Sequence, residues 1–325
     1  MISKMKKVKI YFKKIFIKIH LIISTIILFR KFFNQKKSFE KVRKTILNAD
    51  FNLQPGELIF VDSYWVEIHK KIISDNPRNH FYFLNMPALV ETMSGGHFKY
   101  NYEPIIEISK KYLNDNEIRS LLKENPIGGP RILINSFSSD YGITSLNKVV
   151  HLYQLSLLEF INTKMTDLNF SIVEWGGGFG GLAFLAFKKY PDLTYTIIDV
   201  PASIMTQYLY LSTLLGDSNV NLVDNGIIIP GKINLVRLSK FQNIKYDCHL
   251  FISSWAISES NSYSQEIITN NNFFNSKYGI LIHQKASDRH RYAENLNEFL
   301  VSSKKILIHE ELSFFKDQFL IIWEN

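Results

Sequence analysis

The chain has 325 residues, of which 46% are apolar, enough for one large or two modest domains. Its formal net charge is +8, but the first 39 residues hold 11 basic and no acidic side chains. The rest of the chain has 27 basic and 30 acidic residues and is mildly acidic. This charge balance gives no reason to expect nucleic-acid binding. A single cysteine, Cys248, excludes an intrachain disulfide framework and a CxxC metal or redox site, as expected of a cytoplasmic protein.

Residues 1–39 form a basic, apolar segment in which Lys alternates with Ile, Phe and Val. The uncharged run 19–29 is too short to cross a bilayer, which needs about 20 residues, and no small-residue cleavage site follows it. We therefore expect residues 1–37 to make peripheral contact with the inner face of the cell membrane, where Lys side chains meet anionic lipid. The alternative is a compositional bias at a frayed terminus.

Residues 40–165 are predicted to be a mainly helical region that contacts substrate or acts as a lid. A helical run begins at Ser63 and extends to about residue 73. The stretch 124–130, ENPIGGP, predicts a break in the chain. A second helix is predicted over 144–160, where the apolar side chains fall on one stripe.

Residues 166–325 alternate between strands and helices. The candidate strands are 171–175, 194–198, 233–236, 247–253, 278–283, 305–309 and 318–323. The candidate helices are 180–190, 202–215, 261–274 and 290–301. This alternation predicts an α/β domain with a mostly parallel sheet covered on both faces. The short link between the last two strands predicts that they pair antiparallel, which gives a Rossmann-like, seven-stranded class I methyltransferase sheet.

A glycine turn joins the first of these strands to its helix. Glycine accepts positive φ and lets a ligand approach bare backbone, and the helix start adds free N–H groups and partial positive charge. Gly176, Gly178 and Gly180 fit E-x-G-x-G-x-G, the turn that binds S-adenosyl-L-methionine (SAM). Gly176, Gly178 and Gly181 also fit G-x-G-x-x-G, the dinucleotide pattern. A nucleotide-like ligand is expected at this turn in either case.

Two acidic residues refine the choice of ligand. Glu174 lies two positions before the first glycine, where a carboxylate has the wrong sign for a pyrophosphate but suits the ammonium group of SAM. Asp199 follows Gly178 by 21 positions and ends the second strand, where it is placed to accept both ribose hydroxyls of SAM or NAD. The other interpretation of Asp199 is a helix N-cap before Pro201.

Three stretches carry a resemblance to a known family: 172–182 (IVEWGGGFGGL), 195–201 (YTIIDVP) and 246–259 (YDCHLFISSWAISE). Together they resemble the sugar O-methyltransferases of bacterial surface-glycan gene clusters. The similarity extends over about residues 60–325. It implies a class I methyltransferase fold, SAM as the cofactor and a sugar hydroxyl as the acceptor. The third stretch is similar to the family's fourth strand and the loop after it, which ends in S-x-E.

A sugar hydroxyl needs a base, or a metal, to take its proton, and ligands of open α/β sheets bind at the carboxyl ends of the strands. Glu259, after the fourth strand, and His283, at the end of the fifth, are the candidate bases. Each has a structural alternative, a carboxylate at a helix start for Glu259 and a solvated strand end for His283. Asp140 and His151, upstream of the glycine turn, are further candidates. No residue spacing predicts a metal site.

Two serines complete the predicted cofactor site, Ser239 near the adenine and Ser253 on the pocket floor. The sequence thus predicts a SAM-dependent O-methyltransferase that acts on a small-molecule or glycan sugar in surface-glycan biosynthesis. One alternative is an NAD-dependent sugar oxidoreductase or epimerase, although no Y-x-x-x-K pair follows the turn. The other is a non-catalytic, membrane-associated scaffold with a methyltransferase-like fold. The oligomeric state stays open.

Overall fold

The computed structural model describes residues 32–93, 102–130, 141–165 and 170–325. The predicted membrane-contact segment falls almost entirely in residues 1–31, which lie outside the described residues. The candidate base Asp140 also lies outside them. Within the described ranges, no helix has the length and apolar character needed to cross a membrane.

The N-terminal region is helical over much of its described length, as predicted. Its helices are α1 (32–46), α2 (Pro55–Leu58), α3 (Ser63–Asp75), α4 (Pro87–Thr92), α5 (Glu103–Ser109), α6 (Asp115–Leu122) and α7 (Leu146–Asn162). Side-chain caps fix three of their starts, because Asp62 accepts the backbone N–H of Trp65, Asn114 that of Glu117 and Ser145 that of Lys148. Helix α1 runs across the boundary predicted at residue 39, and the division into domains stays a prediction.

The C-terminal part holds one sheet of eight strands. These are β1 (Ser171–Trp175), β2 (Thr194–Asp199), β3 (Val220–Leu222), β4 (Ile233–Arg237), β5 (Leu250–Ser254), β6 (Tyr278–Gln284), β7 (Lys305–Glu311) and β8 (Gln318–Glu324). Their order is β3-β4-β2-β1-β5-β6-β8-β7. Pairings from β3 to β6 are parallel, whereas β8 runs antiparallel to β6 and β7.

The helices of the sheet are α8 (Gly181–Lys189), α9 (Pro201–Leu215), α10 (Ser262–Asn270) and α11 (Asn295–Ser303). One apolar cluster joins α7, α8 and α9 to the sheet and to the N-terminal helices, and a second packs α10 and α11 on the other face. The crossover at β1 and the antiparallel last strand are the arrangement of a Rossmann-like class I methyltransferase, as the sequence predicted.

Two details differ from the prediction. The edge strand β3 adds an eighth strand that the sequence did not indicate, because three residues, one buried and two half-buried, make too short a pattern. The helix predicted over 261–274 was wrong at its end, since α10 stops at Asn270 and residues 272–275 all have positive φ. Asn tolerates this left-handed conformation, and it turns Phe273 into the core, 4.9 Å from the ring of Trp323.

Candidate active site

The glycine turn lies at the carboxyl edge of the sheet between β1 and α8. Gly176 has φ +76° and donates its N–H to the carbonyl of Ile198, 2.9 Å away at the end of β2. A Cβ on Gly176 would stand 2.0 Å from the Cβ of Ala256, so the turn is pressed against the loop that follows β5. Gly180 has φ +89° and caps α8, where a Cβ would meet Leu211 at 2.9 Å. These two glycines are required by packing as well as by backbone conformation.

Gly178 differs from its neighbours in facing open space. Its φ is +56°, and no atom of the described residues lies within 4 Å of the position that a Cβ would take. A ligand can therefore approach the backbone at Gly178 without displacing a side chain.

Glu174 is buried on β1 directly before the turn, with 3% of its surface exposed. The hydroxyl of Tyr195 on β2 donates to its Oε2 at 2.9 Å. Burial, with a smaller contribution from the charge of Asp199, raises the pKa of Glu174 to about 8 despite that hydrogen bond. The side chain is thus a neutral acid at neutral pH, and a neighbouring ligand cation would convert it to a carboxylate.

Asp199 ends β2, where part of the residue is exposed but its carboxyl group is enclosed. Its Oδ1 accepts the N–H of Val200 at 2.7 Å and its Oδ2 accepts Nε2 of Gln207 at 2.8 Å. Burial raises the pKa of Asp199 to about 7, against the lowering effect of these bonds. The N-cap of α9 is Val200, which makes no side-chain capping bond, so the structure does not use Asp199 as the cap of this helix.

Gln207 is a site residue that sequence reasoning missed. Its Nε2 lies 3.0 Å from the carbonyl oxygen of Gly178 as well as 2.8 Å from Asp199. One amide on α9 therefore ties the glycine turn to the acid of β2. Its only sequence signal was a long amide side chain about two turns into a mainly apolar helix.

The loop after β5 forms the wall of the site opposite α9. Ser253 is fully buried, donates to the carbonyl of Trp175 at 3.1 Å and accepts the N–H of Ile257 at 2.9 Å. Its hydroxyl thus holds this loop against β1, and contact with a cofactor stays a prediction. Trp255 has φ +67°, a conformation uncommon for a bulky residue and characteristic of functional sites. Its indole N–H donates to Gln318.

The two candidate bases have different surroundings, although their neighbours Ser258 and Gln284 are hydrogen-bonded at 3.0 Å. Glu259 lies in the loop after β5 with 23% of its side chain exposed, and Nε2 of His290 is 3.9 Å from its Oε1. Burial and the charge of Asp62 raise the pKa of Glu259 to about 8. His283 is 1% exposed and stacks on Phe319. It lies on the same face of β6 as Leu281, which belongs to the apolar cluster beneath α11. Burial lowers its pKa, and its role as a base stays a prediction.

Ser239, predicted near the adenine, follows β4 and is exposed. Its hydroxyl donates to Oε1 of Glu57 at 2.9 Å. Arg237 makes a bidentate bond to the same carboxylate, with Nε at 3.1 Å and a terminal nitrogen at 3.0 Å. Glu57 is fully buried, and its desolvation alone would raise its pKa. The hydrogen bonds and the charge of Arg237 outweigh this effect, so the pKa of Glu57 is lowered. This contact joins α2 to the sheet, and the role of Ser239 in cofactor binding stays a prediction.

A small polar cavity adjoins the N-terminus of α8. Lys148 and Glu124 line it with Nζ and Oε1 3.1 Å apart, both nearly fully buried. His151 and Gly181 lie on its other side. Oε2 of Glu124 has no hydrogen-bond partner among the described residues. Opposite charges are therefore held beside the glycine turn, where α7 packs against the segment that follows α6. In the described ranges, no group of three or more His, Cys, Asp or Glu side chains could hold a metal ion.

No protein-family model matches the chain, and no curated protein sequence matches it significantly. Solved structures are similar to it at low identity. The match to the pyocyanin biosynthetic protein PhzM has 15% identity and a TM-score of 0.35, and covers 53% of this chain and 57% of PhzM, less than two thirds of that protein.

A SAM-dependent methyltransferase from Aquifex aeolicus matches with 14% identity and a TM-score of 0.36, over 51% of this chain and 87% of that one. PigF with SAH matches with 13% identity and a TM-score of 0.36, over 79% and 77%. The fold class of the chain follows from its own strand order.

Proposed function

We propose that the protein is a SAM-dependent O-methyltransferase that transfers a methyl group to a sugar hydroxyl in surface-glycan biosynthesis. The observation that carries the proposal is the edge at β1 and β2, where the open backbone of Gly178 lies between the acids Glu174 and Asp199. Family resemblance supports the sugar as acceptor.

The residues present fit SAM. Glu174 would take the ammonium group, and the ligand charge would replace the proton that the apo carboxyl holds. Asp199 would accept the ribose hydroxyls, and Gln207 would hold it in place. A pyrophosphate would find at Glu174 either a neutral carboxyl with no opposite charge or a carboxylate of the same sign, which disfavours the NAD alternative.

SAM supplies an activated methyl group on a sulfonium, and the protein has to align the acceptor oxygen with it. The loop after β5 is held by Ser253 and packs against Gly176. It is placed to form one wall of the pocket in which the two reactants would be aligned. Glu259 stands on the same loop and belongs to the acceptor side. Peripheral membrane contact through residues 1–37 would bring the enzyme to lipid-linked glycan precursors.

Calorimetry with SAM and with NAD tests the cofactor. We expect SAM to bind and NAD not to bind, and we expect Glu174→Ala or Asp199→Ala to weaken SAM binding at least tenfold, about 1.4 kcal/mol or more. Binding of NAD alone would overturn the proposal, and binding of neither would favour the scaffold.

Mass spectrometry of surface glycans from cells with and without the gene tests the acceptor. A methyl group missing only in the deletion strain, and restored by the wild-type gene but not by Asp199→Ala, is the expected result. Unchanged glycans, together with SAM binding, would leave a methyltransferase with a different acceptor.

A further inference from the structure

Acidic and basic side chains from three separate elements meet beside the loop after β5. Glu259 comes from that loop, His290 from the loop after β6, and Asp62 from the start of α3. Nε2 of His290 lies 3.9 Å from Oε1 of Glu259, with 13% and 23% of the two side chains exposed. Asp62 acts on both through its charge.

The packing fixes this cluster next to the glycine turn. Nε2 of Gln265 donates to the carbonyl of Ile257 at 3.1 Å and to that of Tyr292 at 3.0 Å, which ties the loop of Glu259 to the loop of His290. The indole N–H of Trp175 donates to Ser260 at 3.2 Å, which ties the same loop to the end of β1. The cluster is therefore carried by the loop that packs against the end of β1 and against Gly176 of the turn.

His290 keeps one ring nitrogen available. Its Nε2 is directed to Glu259, whereas its buried Nδ1 has no hydrogen-bond partner in the described part of the chain. The other groups around the ring are the edge of Tyr64, with centroids 6.4 Å apart, and the guanidinium of Arg289, which stacks on Tyr64 at 3.5 Å and lies 3.7 Å from Glu91. An unpaired polar atom at a buried position is costly unless a ligand uses it.

The electrostatics distinguish the roles of the two side chains. Burial and the charge of Arg289 lower the pKa of His290, so the imidazole is neutral at pH 7 and carries a free lone pair. Burial and Asp62 raise the pKa of Glu259 to about 8, so that carboxyl is mostly protonated at the same pH. Of the two, His290 is the available base.

We propose that His290 takes the proton of the acceptor hydroxyl, with the charge of Asp62 stabilising the imidazolium that forms and Glu259 standing beside its Nε2. The inference rests on the proposed function. In the step, the hydroxyl oxygen bonds to the methyl carbon as the carbon–sulfur bond breaks, and the bonding pair stays on sulfur. The hydroxyl proton moves to the imidazole and is later released to water. Neither an oxidant nor a metal is required for this balance.

The test follows labelled methyl transfer from SAM to the glycan fraction of a deletion strain. We expect His290→Gln to lower the rate by about 10²- to 10⁴-fold, the usual contribution of a general base, while calorimetry shows unchanged SAM affinity. Added imidazole should restore transfer by His290→Gly and leave His290→Gln inactive. The acid limb of the wild-type rate profile, measured over about pH 5.5 to 8.5, should shift in the rescued variant to the titration of the added imidazole.

His309→Gln, on an exposed histidine of β7, is the matched control and should transfer at the wild-type rate. A His290→Gln rate within about threefold of wild type, or no rescue of a folded His290→Gly, would overturn the role of His290 while the SAM affinity still supported a methyltransferase. A wild-type protein that binds SAM but labels no glycan would overturn the sugar acceptor and this inference with it. Absence of SAM binding would overturn the proposed function itself.

Discussion

The side-chain amide of Gln207 donates to Oδ2 of Asp199 at 2.8 Å, and the same nitrogen lies 3.0 Å from the carbonyl oxygen of Gly178. The acid that would bind the ribose and the turn that would bind the methionine end are therefore held by one side chain of α9. A substitution at this helix position should act on the cofactor site without touching the ligand.

Gln207→Ala is expected to weaken SAM binding about tenfold, since a hydrogen bond to a charged group contributes about 1.5–3 kcal/mol. Asp199 would lose the donor that orients it, and the turn would lose its tie to α9. Calorimetry with SAM measures the effect. Gln242→Ala, on an exposed glutamine after β4, is the control and should bind like wild type. Equal affinities for the two variants would contradict an orienting role for Gln207.

Glu174→Gln is expected to raise the melting temperature of the SAM-free protein at pH 8 and to weaken SAM binding. The folded protein holds a proton on Glu174 up to about pH 8, whereas the unfolded chain releases it near pH 4.5. The folded state thus binds more protons in this window, and its stability falls as the pH rises through it.

Gln cannot ionise, so the variant escapes this loss. Thermal unfolding at several pH values measures the difference, which should be largest near pH 8 and should vanish below about pH 4.5. Glu298→Gln, on an exposed face of α11, should show no such trend. A melting temperature of Glu174→Gln below that of wild type at pH 8 would argue that the buried carboxyl is ionised in the free protein.

Gly178→Ala is expected to leave a folded protein that no longer binds SAM. The left-handed backbone costs an L-residue about 1–2 kcal/mol, and the new methyl group would occupy the open approach to the turn. Gly226→Ala is a matched control, because Gly226 also has positive φ and no described atom near a Cβ. Both variants should lose similar stability in thermal unfolding, and only Gly178→Ala should lose SAM binding.

Glu57→Ala is expected to destabilise the protein by roughly 3–5 kcal/mol, because it leaves the half-buried guanidinium of Arg237 without its bidentate partner. Chemical denaturation measures the loss. Glu67→Ala removes an exposed ion pair with Lys70, 2.8 Å long on α3, and should leave the midpoint unchanged. Equal midpoints for the two variants would show that the contact between α2 and β4 contributes nothing to stability.

The local patterns of the chain determined much of the fold. Apolar runs bounded by turns located the seven predicted strands, of which the first two carry Glu174 and Asp199. They do so because a buried strand of a parallel sheet needs a nearly continuous apolar run. The glycines fixed the strand–turn–helix at residues 171–181, because only glycine accepts such backbone without strain. Strand β3 and the left-handed turn after Asn270 were not predicted. A three-residue edge strand and a run of Asn carry too little pattern to be recognised in a sequence.

The partners of each site residue were decided by the tertiary structure alone. Gln207 reaches Asp199 because α9 folds back onto the sheet, and His290 reaches Glu259 because two loops far apart in sequence end at the same edge. The same packing buries His283 beneath Phe319 and turns Ser239 towards Glu57. Residue type and position on a strand predict which chemistry is available, whereas burial and partners, which set the pKa of each group, depend on long-range contacts that no local pattern contains.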